Sequence, residues 1–209
     1  MSDAAHAGAS ATIPYTRVAV ALHWLLALMI AGGFALGVYM VELGPSPEQL
    51  RLFSYHKSIG ITVLGLATLR SVWRLTHPAP PLVAMPAWQR IAAAASHRAL
   101  YGLMLLTPLV GWLYSSASGI PVLYLTRWQL PDLVPKSKGL AQALLDAHVV
   151  LAWTLCTLVV LHIAAALTHH FRQHDETLRR MLSWRRSFAA PAIGAAAGDT
   201  GDAEGVLKP

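Results

Sequence analysis

DAHVVLAWTLCTLVVLHIAAALTHHF, residues 146–171, is apolar enough to cross a membrane, yet it carries His148 and His162 inside the apolar run, fourteen residues apart. At about 1.5 Å and about 100° per residue, fourteen steps move a helix roughly 21 Å along its axis and return it to within about 40° of its starting direction. Both imidazoles therefore lie on one face at two depths. A neutral imidazole in hydrocarbon is costly unless its nitrogens are satisfied, so this face must look into the protein.

The rest of the chain supplies the setting. Of its 209 residues 55% are hydrophobic and only 12% charged, and the apolar residues come in long blocks, as in a membrane protein. Four blocks reach the roughly 20 residues that a helix needs to cross about 30 Å of hydrocarbon: residues 18–41, 54–72, 97–117 and 143–168. The expected fold is all-α, one integral membrane four-helix bundle over residues 13–186, with no room for a separate soluble domain. The first block is too long and starts too far in for a cleaved signal peptide. Residues 1–12 and the Ala/Gly-rich tail 187–209 cannot bury enough surface to fold alone and are expected to be disordered. Residues 118–142 form the longest loop, and its segment PVLYLTRWQLPDL suits a membrane interface, where Trp and Tyr are favoured.

Basic residues orient the bundle. With the N-terminus cytoplasmic, the inner segments hold Arg17, Arg70, Arg74, Arg90, Arg98, Arg172, Arg179, Arg180, Arg185 and Arg186, against Arg51, Lys57, Arg127, Lys136 and Lys138 outside. This asymmetry puts both termini in the cytoplasm. It also explains the net charge of +6 through attraction to anionic membrane lipid, and nothing in the pattern suits a nucleic acid.

Depth then pairs the histidines. His23 lies near the inner end of the first block and His56 at the outer start of the second, so His56 matches His148 and His23 matches His162. Two helices that each offer one imidazole at equal depth can ligate a flat metal macrocycle from both sides, and bundles build cofactor sites from facing helices in this way. Haem iron accepts two such ligands. A structural zinc ion wants four nitrogen or sulfur ligands, whereas each depth offers two imidazoles and no nearby carboxylate. The single cysteine, Cys156, reads as a small buried apolar residue. Without a C-x-x-C-H motif there is no covalent attachment, so haem would be b-type. One histidine in a span is explained as well by an interhelical hydrogen bond. Four histidines in two depth-matched pairs favour two haems.

RVAVALHWLLAL (residues 17–28), YHKSIGITVLGLATLRSVWRLTHPAPP (55–81), HRALYGLMLLTPLVGWLYS (97–115) and HVVLAWTLCTLVVLHIAAALTHHF (148–171) resemble the bacterial cytochrome b561 family. The likeness covers about residues 13–186. It implies a dihaem b-type cytochrome of the bacterial inner membrane, passing electrons to or from quinone.

Haem propionates need cationic partners at the membrane faces. Arg17, Arg70 and Arg74 are candidates at the inner end, with Arg70 fourteen residues after His56 and so on its stripe, and Lys57 is the outer candidate. His169, one heptad after His162, suits a quinone or proton role at the inner surface. His97 opens the third span without a free partner at its depth, so a hydrogen-bonding role is expected there. His6, His77, His170 and His174 read as solvated, and Pro108 and Gly111 as packing features of the third helix.

No nucleophile with an adjacent base, phosphate loop or dinucleotide fingerprint is present. The expected activity is that of an oxidoreductase or electron carrier between the outer face and the quinone pool. Clustered positive charge at the outer face suits a small anionic donor, and superoxide is one that the resemblance allows, an unidentified redox protein being the other candidate. A cytochrome b subunit anchoring a dehydrogenase or hydrogenase is the alternative, but the loops are short for docking. A proton or metal-ion transporter lined by histidines would need acidic residues within the spans, where only Glu42 and Asp146 come near.

Overall fold

The structure is a computed structural model and describes residues 15–78 and 86–172, together with positions 178 and 181. The flanks 1–12 and 187–209 lie outside the described residues. Four long helices follow one another: α1 Arg17–Glu42, α2 Pro47–Thr76, α3 Ala87–Ser118 and α4 Lys138–Arg172. Each contains an expected block and extends past it at both ends, because apolarity marks the middle of a helix while caps set its limits. Ser46 caps α2 by accepting a hydrogen bond from the Gln49 N–H at 3.1 Å, with Pro47 in the first helical turn. The start of α3, AWQRIAAAAS, is rich in alanine, a strong helix former. That helix stops at Gly119, whose left-handed φ of 75° lets the N–H groups of residues 119 and 120 bond back to the Ser116 and Ser115 carbonyls.

By length and composition α1, α3 and α4 can cross a membrane. The four spans read from the sequence thus become three helices apolar enough to cross and a more polar α2, in which Lys57 and Arg70 bracket an uncharged run over residues 58–69. α2 packs between α1 and α3, and α3 packs on α4. The core, Leu26, Val63, Ala67, Leu100, Met104 and Leu155, draws on all four helices. Leu155 is seven residues from each of His148 and His162, so this apolar layer separates the two histidine levels.

α4 makes no backbone contact with α1 or α2 comparable to that with α3. Only 6% of its most apolar stretch is buried, the least of the three apolar helices. The side of α4 that faces α1 and α2 is bridged by side chains instead, among them Phe34 and Trp153, edge to face at 5.0 Å.

The loop after α3 is more ordered than an irregular interfacial segment. Strands β1 Leu123–Tyr124 and β2 Trp128–Gln129 pair antiparallel, Leu123 with Gln129 and Tyr124 with Trp128. Their turn holds Leu125 at φ 51° and Thr126 at φ 59°, left-handed conformations that cost non-glycine residues about 1–2 kcal/mol each. α2 holds the turn in place. The Ser58 hydroxyl accepts from the Leu125 N–H at 3.1 Å and donates to the Leu123 carbonyl at 3.3 Å, and Thr62 meets the Tyr124 hydroxyl at 3.3 Å. From α3, Ser116 accepts the Leu133 N–H and Trp112 donates to the Pro131 carbonyl, both at 3.1 Å. The hairpin therefore closes one end of the bundle, beside His56; the end carrying Arg70 is opposite.

Candidate functional site

The structure brings both expected histidine pairs together. The ring centroids of His56 on α2 and His148 on α4 are 6.2 Å apart with planes at 90°, and those of His23 on α1 and His162 on α4 are 6.3 Å apart at 64°. Two metal–nitrogen bonds of about 2 Å, plus the offset of each nitrogen from its centroid, separate two imidazoles across one metal by roughly 6 Å. Both pairs fit that arrangement, and both straddle the side of α4 where backbones stand apart. Among the described residues no three His, Cys, Asp or Glu side chains converge as they would to hold an ion alone. The donor set suits a planar group that fills its own equatorial positions, as haem does.

At the hairpin end each imidazole is held on a neighbouring helix in the same way. Nδ1 of His56 is 3.0 Å from the Gly33 carbonyl on α1, and Nδ1 of His148 is 2.9 Å from the Thr107 carbonyl on α3. With Nδ1–H donating to these carbonyls, Nε2 is left as the metal-binding nitrogen, the arrangement that fixes tautomer and orientation in ligating histidines. Four residues after each carbonyl stands a glycine beneath the same ring. A Cβ at Gly37 would lie 3.1 Å from Cε1 of His56, and one at Gly111 2.9 Å from Cε1 of His148. Each helix thus offers a carbonyl at one position and the missing side chain one turn on. Packing alone, the role the sequence suggests for Gly111, does not describe it, and Gly33, Gly37 and Thr107 join it in holding the rings. Glycine inside an otherwise apolar helix is the sequence signal for such a close approach.

The opposite end differs. His97 on α3 places its ring 5.4 Å from that of His162, at 67°, so three imidazoles gather where two were expected. Arg70 lies beside them, its Nε donating to the Tyr101 hydroxyl at 3.0 Å and its Nη1 to the Ala19 carbonyl at 3.1 Å, which ties α1, α2 and α3 together. Arg70 and Arg74 line one cavity of about 280 Å³ with Tyr15, Thr16, Trp73 and Tyr101, an anion-accepting place at the end of two helices. Arg74 is exposed in the last turn of α2, where a cation also suits the helix dipole. Arg17 is half-buried at the first residue of α1, and His169 half-buried in the last turn of α4.

Lys57 sits at the hairpin end, but its ammonium donates to the Pro121 and Ile120 carbonyls at 3.3 and 3.5 Å and so fastens the loop as well. Lys136 and Lys138 line a cavity of about 450 Å³ between α3 and α4 with Tyr114, Ser118, Ser137 and Gln142. His77 is exposed and stacks on Trp73 at 3.9 Å. His170, expected to be solvated, is half-buried against Phe171 with its Nδ1 shielded. Cys156 is a free, partly buried thiol. His6 and His174 lie outside the described residues.

Comparison with known proteins gives the family. Residues 14–184 match the prokaryotic cytochrome b561 family. The chain is 36% identical over 176 residues to cytochrome b561 homolog 2 of Escherichia coli K12, an alignment that covers 80% of this chain and 90% of that protein. It is 29% identical over 175 residues to the probable superoxide oxidase CybB of Yersinia pestis, covering 82% and 97%. Cytochrome b561 homolog 1 of Escherichia coli K12 is 30% identical over 178 residues, covering 82% and 98%. A bundle of long apolar helices with paired imidazoles, matched over nearly all its described length, belongs to the prokaryotic cytochrome b561 family of membrane b-type cytochromes.

Proposed function

We propose that the protein is a dihaem cytochrome that moves electrons across the inner membrane, from a donor at the hairpin end to quinone at the Arg70 end. The two imidazole pairs carry this reading, one at each end of the bundle with a buried apolar layer between them. All four helices then span the membrane, with both termini cytoplasmic and the hairpin outside, as the basic residues favour. Each haem, when bound, supplies a one-electron iron couple. The chain's own residues do the rest. His56 and His148 hold one group and His23 and His162 the other, and the carbonyls of Gly33 and Thr107 keep two of those rings turned. Arg70 and Arg74 hold the inner propionates, with Arg17 beside them, and Lys57 serves the outer ones while fastening the loop. The Leu26–Val63–Ala67–Leu155 layer excludes water between the two levels. His169 suits quinone binding at the inner surface, half-buried where α4 ends.

A wild-type preparation should contain two haems per chain by pyridine haemochrome assay, both low-spin, and a value of one would reject the paired-ligand reading.

Superoxide is the donor the site best accommodates. Lys136 and Lys138 border an open cavity at the hairpin end, Arg127 lies in the hairpin turn, and one relative is a probable superoxide oxidase. Superoxide gives up one electron to become dioxygen, and quinone takes two such electrons with two protons. Positive charge raises the on-rate of an anion and is screened by salt. Stopped-flow reduction by pulsed superoxide should therefore slow as ionic strength rises. A rate independent of salt would remove the steering role, and absence of haem reduction would remove superoxide as donor.

A further inference from the structure

Three imidazoles meet at the Arg70 end, and two suffice to ligate one haem. His97 and His23 approach the same His162 ring at different separations, 5.4 and 6.3 Å between centroids. Two imidazoles joined by a nitrogen-to-nitrogen hydrogen bond of about 3 Å have centroids roughly 5 Å apart, whereas two joined through a metal stand roughly 6 Å apart. The 5.4 Å separation brings His97 within a small ring movement of the first arrangement, and the 6.3 Å separation suits the second.

The hairpin end says what such a hydrogen bond would do. There, His148 of α4 has its Nδ1 held by the Thr107 carbonyl of α3. Among the described residues no backbone carbonyl holds His162 in this way, and the α3 group beside it is the His97 ring. A ligating histidine left without a partner for its second nitrogen loses both fixed orientation and basicity. The His97 ring stands edge-on to that of His162, with the planes at 67°.

We infer that His97 is a positioning residue for the inner haem, accepting a hydrogen bond from Nδ1–H of His162 while His23 and His162 ligate the iron. The inference rests on the dihaem reading, whose failure would already appear in the haem content of the wild-type chain. α3 then supports both ligands of α4, by a carbonyl at one level and by a side chain at the other.

The test uses the full chain purified with its haem, in His97→Leu, His97→Asn and His23→Ala forms, read by redox titration and low-temperature EPR. His97→Leu should retain two haems per chain, because both ligands remain. Loss of the acceptor makes His162 a weaker donor to ferric iron, so the inner haem's midpoint potential should rise and its low-spin g values shift, with the outer haem unchanged. His97→Asn, whose amide oxygen can accept the same hydrogen bond, should reverse most of the shift. His23→Ala should lose the low-spin inner signal. If His97→Leu leaves both potentials and both EPR signals unchanged, His97 does not position the ligand. Loss of the inner haem from both His97 variants would also overturn the inference, and if His23→Ala keeps it low-spin, ligation passes to His97.

Discussion

His148→Ala leaves one haem in the chain, with the optical and EPR signals of the inner haem intact. His148 is the proposed hairpin-end ligand contributed by α4, and among the described residues no third imidazole stands beside its 6.2 Å pairing with His56. Truncation removes the coordinating nitrogen and also leaves the Thr107 carbonyl without its donor, a loss of about 1 kcal/mol for a neutral hydrogen bond. That local cost is small beside the loss of an axial ligand, so haem content rather than folding registers the change. His162 is fourteen residues away, roughly 21 Å along α4, and sites separated by more than about 10 Å respond independently when they share no partner. Haem per chain should therefore fall from two to one, and a redox titration should resolve one component in place of two. His56→Ala should give the same spectrum and His23→Ala its complement. Two low-spin haems persisting in either His148→Ala or His56→Ala would break the pairing.

The pairing was legible because it depends on quantities a sequence carries: the apolar length of each block, the sign of its flanks and the fourteen-residue interval on α4. The helix limits were less so. A hydropathy reading finds where a helix meets lipid, and it could not foresee that Ser46 starts α2 among charged residues or that an alanine run starts α3 at Ala87. It also could not place His97 beside His162, since that proximity follows from how α3 is rotated against α4 rather than from depth alone. The hairpin was hidden for another reason. Leu125 and Thr126 are poor residues for a left-handed turn, and only the tertiary bonds from Ser58 on α2 make the turn there intelligible. Lys57, read as an outer cation for propionate, proved also to fasten that loop. His97, the hairpin turn and Lys57 owe their settings to contacts between elements distant in sequence, whereas the helix limits are set locally by a cap and an alanine run.

Gly111→Ala should disrupt the outer haem as surely as loss of a ligand, although no coordinating atom changes. The added Cβ would stand 2.9 Å from Cε1 and 3.0 Å from Nδ1 of His148, on the ring edge between the nitrogen bound to Thr107 and the nitrogen left for metal. The ring cannot retreat without stretching its 2.9 Å bond to the Thr107 carbonyl. Alanine is favoured over glycine inside a helix by about 1 kcal/mol, whereas forcing an extra methyl group into a packed site costs about 1–3 kcal/mol. The net cost is about 0–2 kcal/mol, so the protein should still fold and the damage should fall on the ligand's position. The expected result is a folded chain that holds the inner haem and has lost the outer one or its low-spin signal. Gly37→Ala, with its contact to His56 at 3.1 Å, should give a weaker form of the same defect. Gly102→Ala is the control: it lies on the same helix nine residues earlier, about half a turn round from Gly111, and a Cβ there meets nothing within 4 Å. That variant should keep both haems and gain up to about 1 kcal/mol from helix propensity alone. Equal haem content and identical EPR in Gly111→Ala and Gly102→Ala would mean that the glycine beneath His148 is only a packing residue.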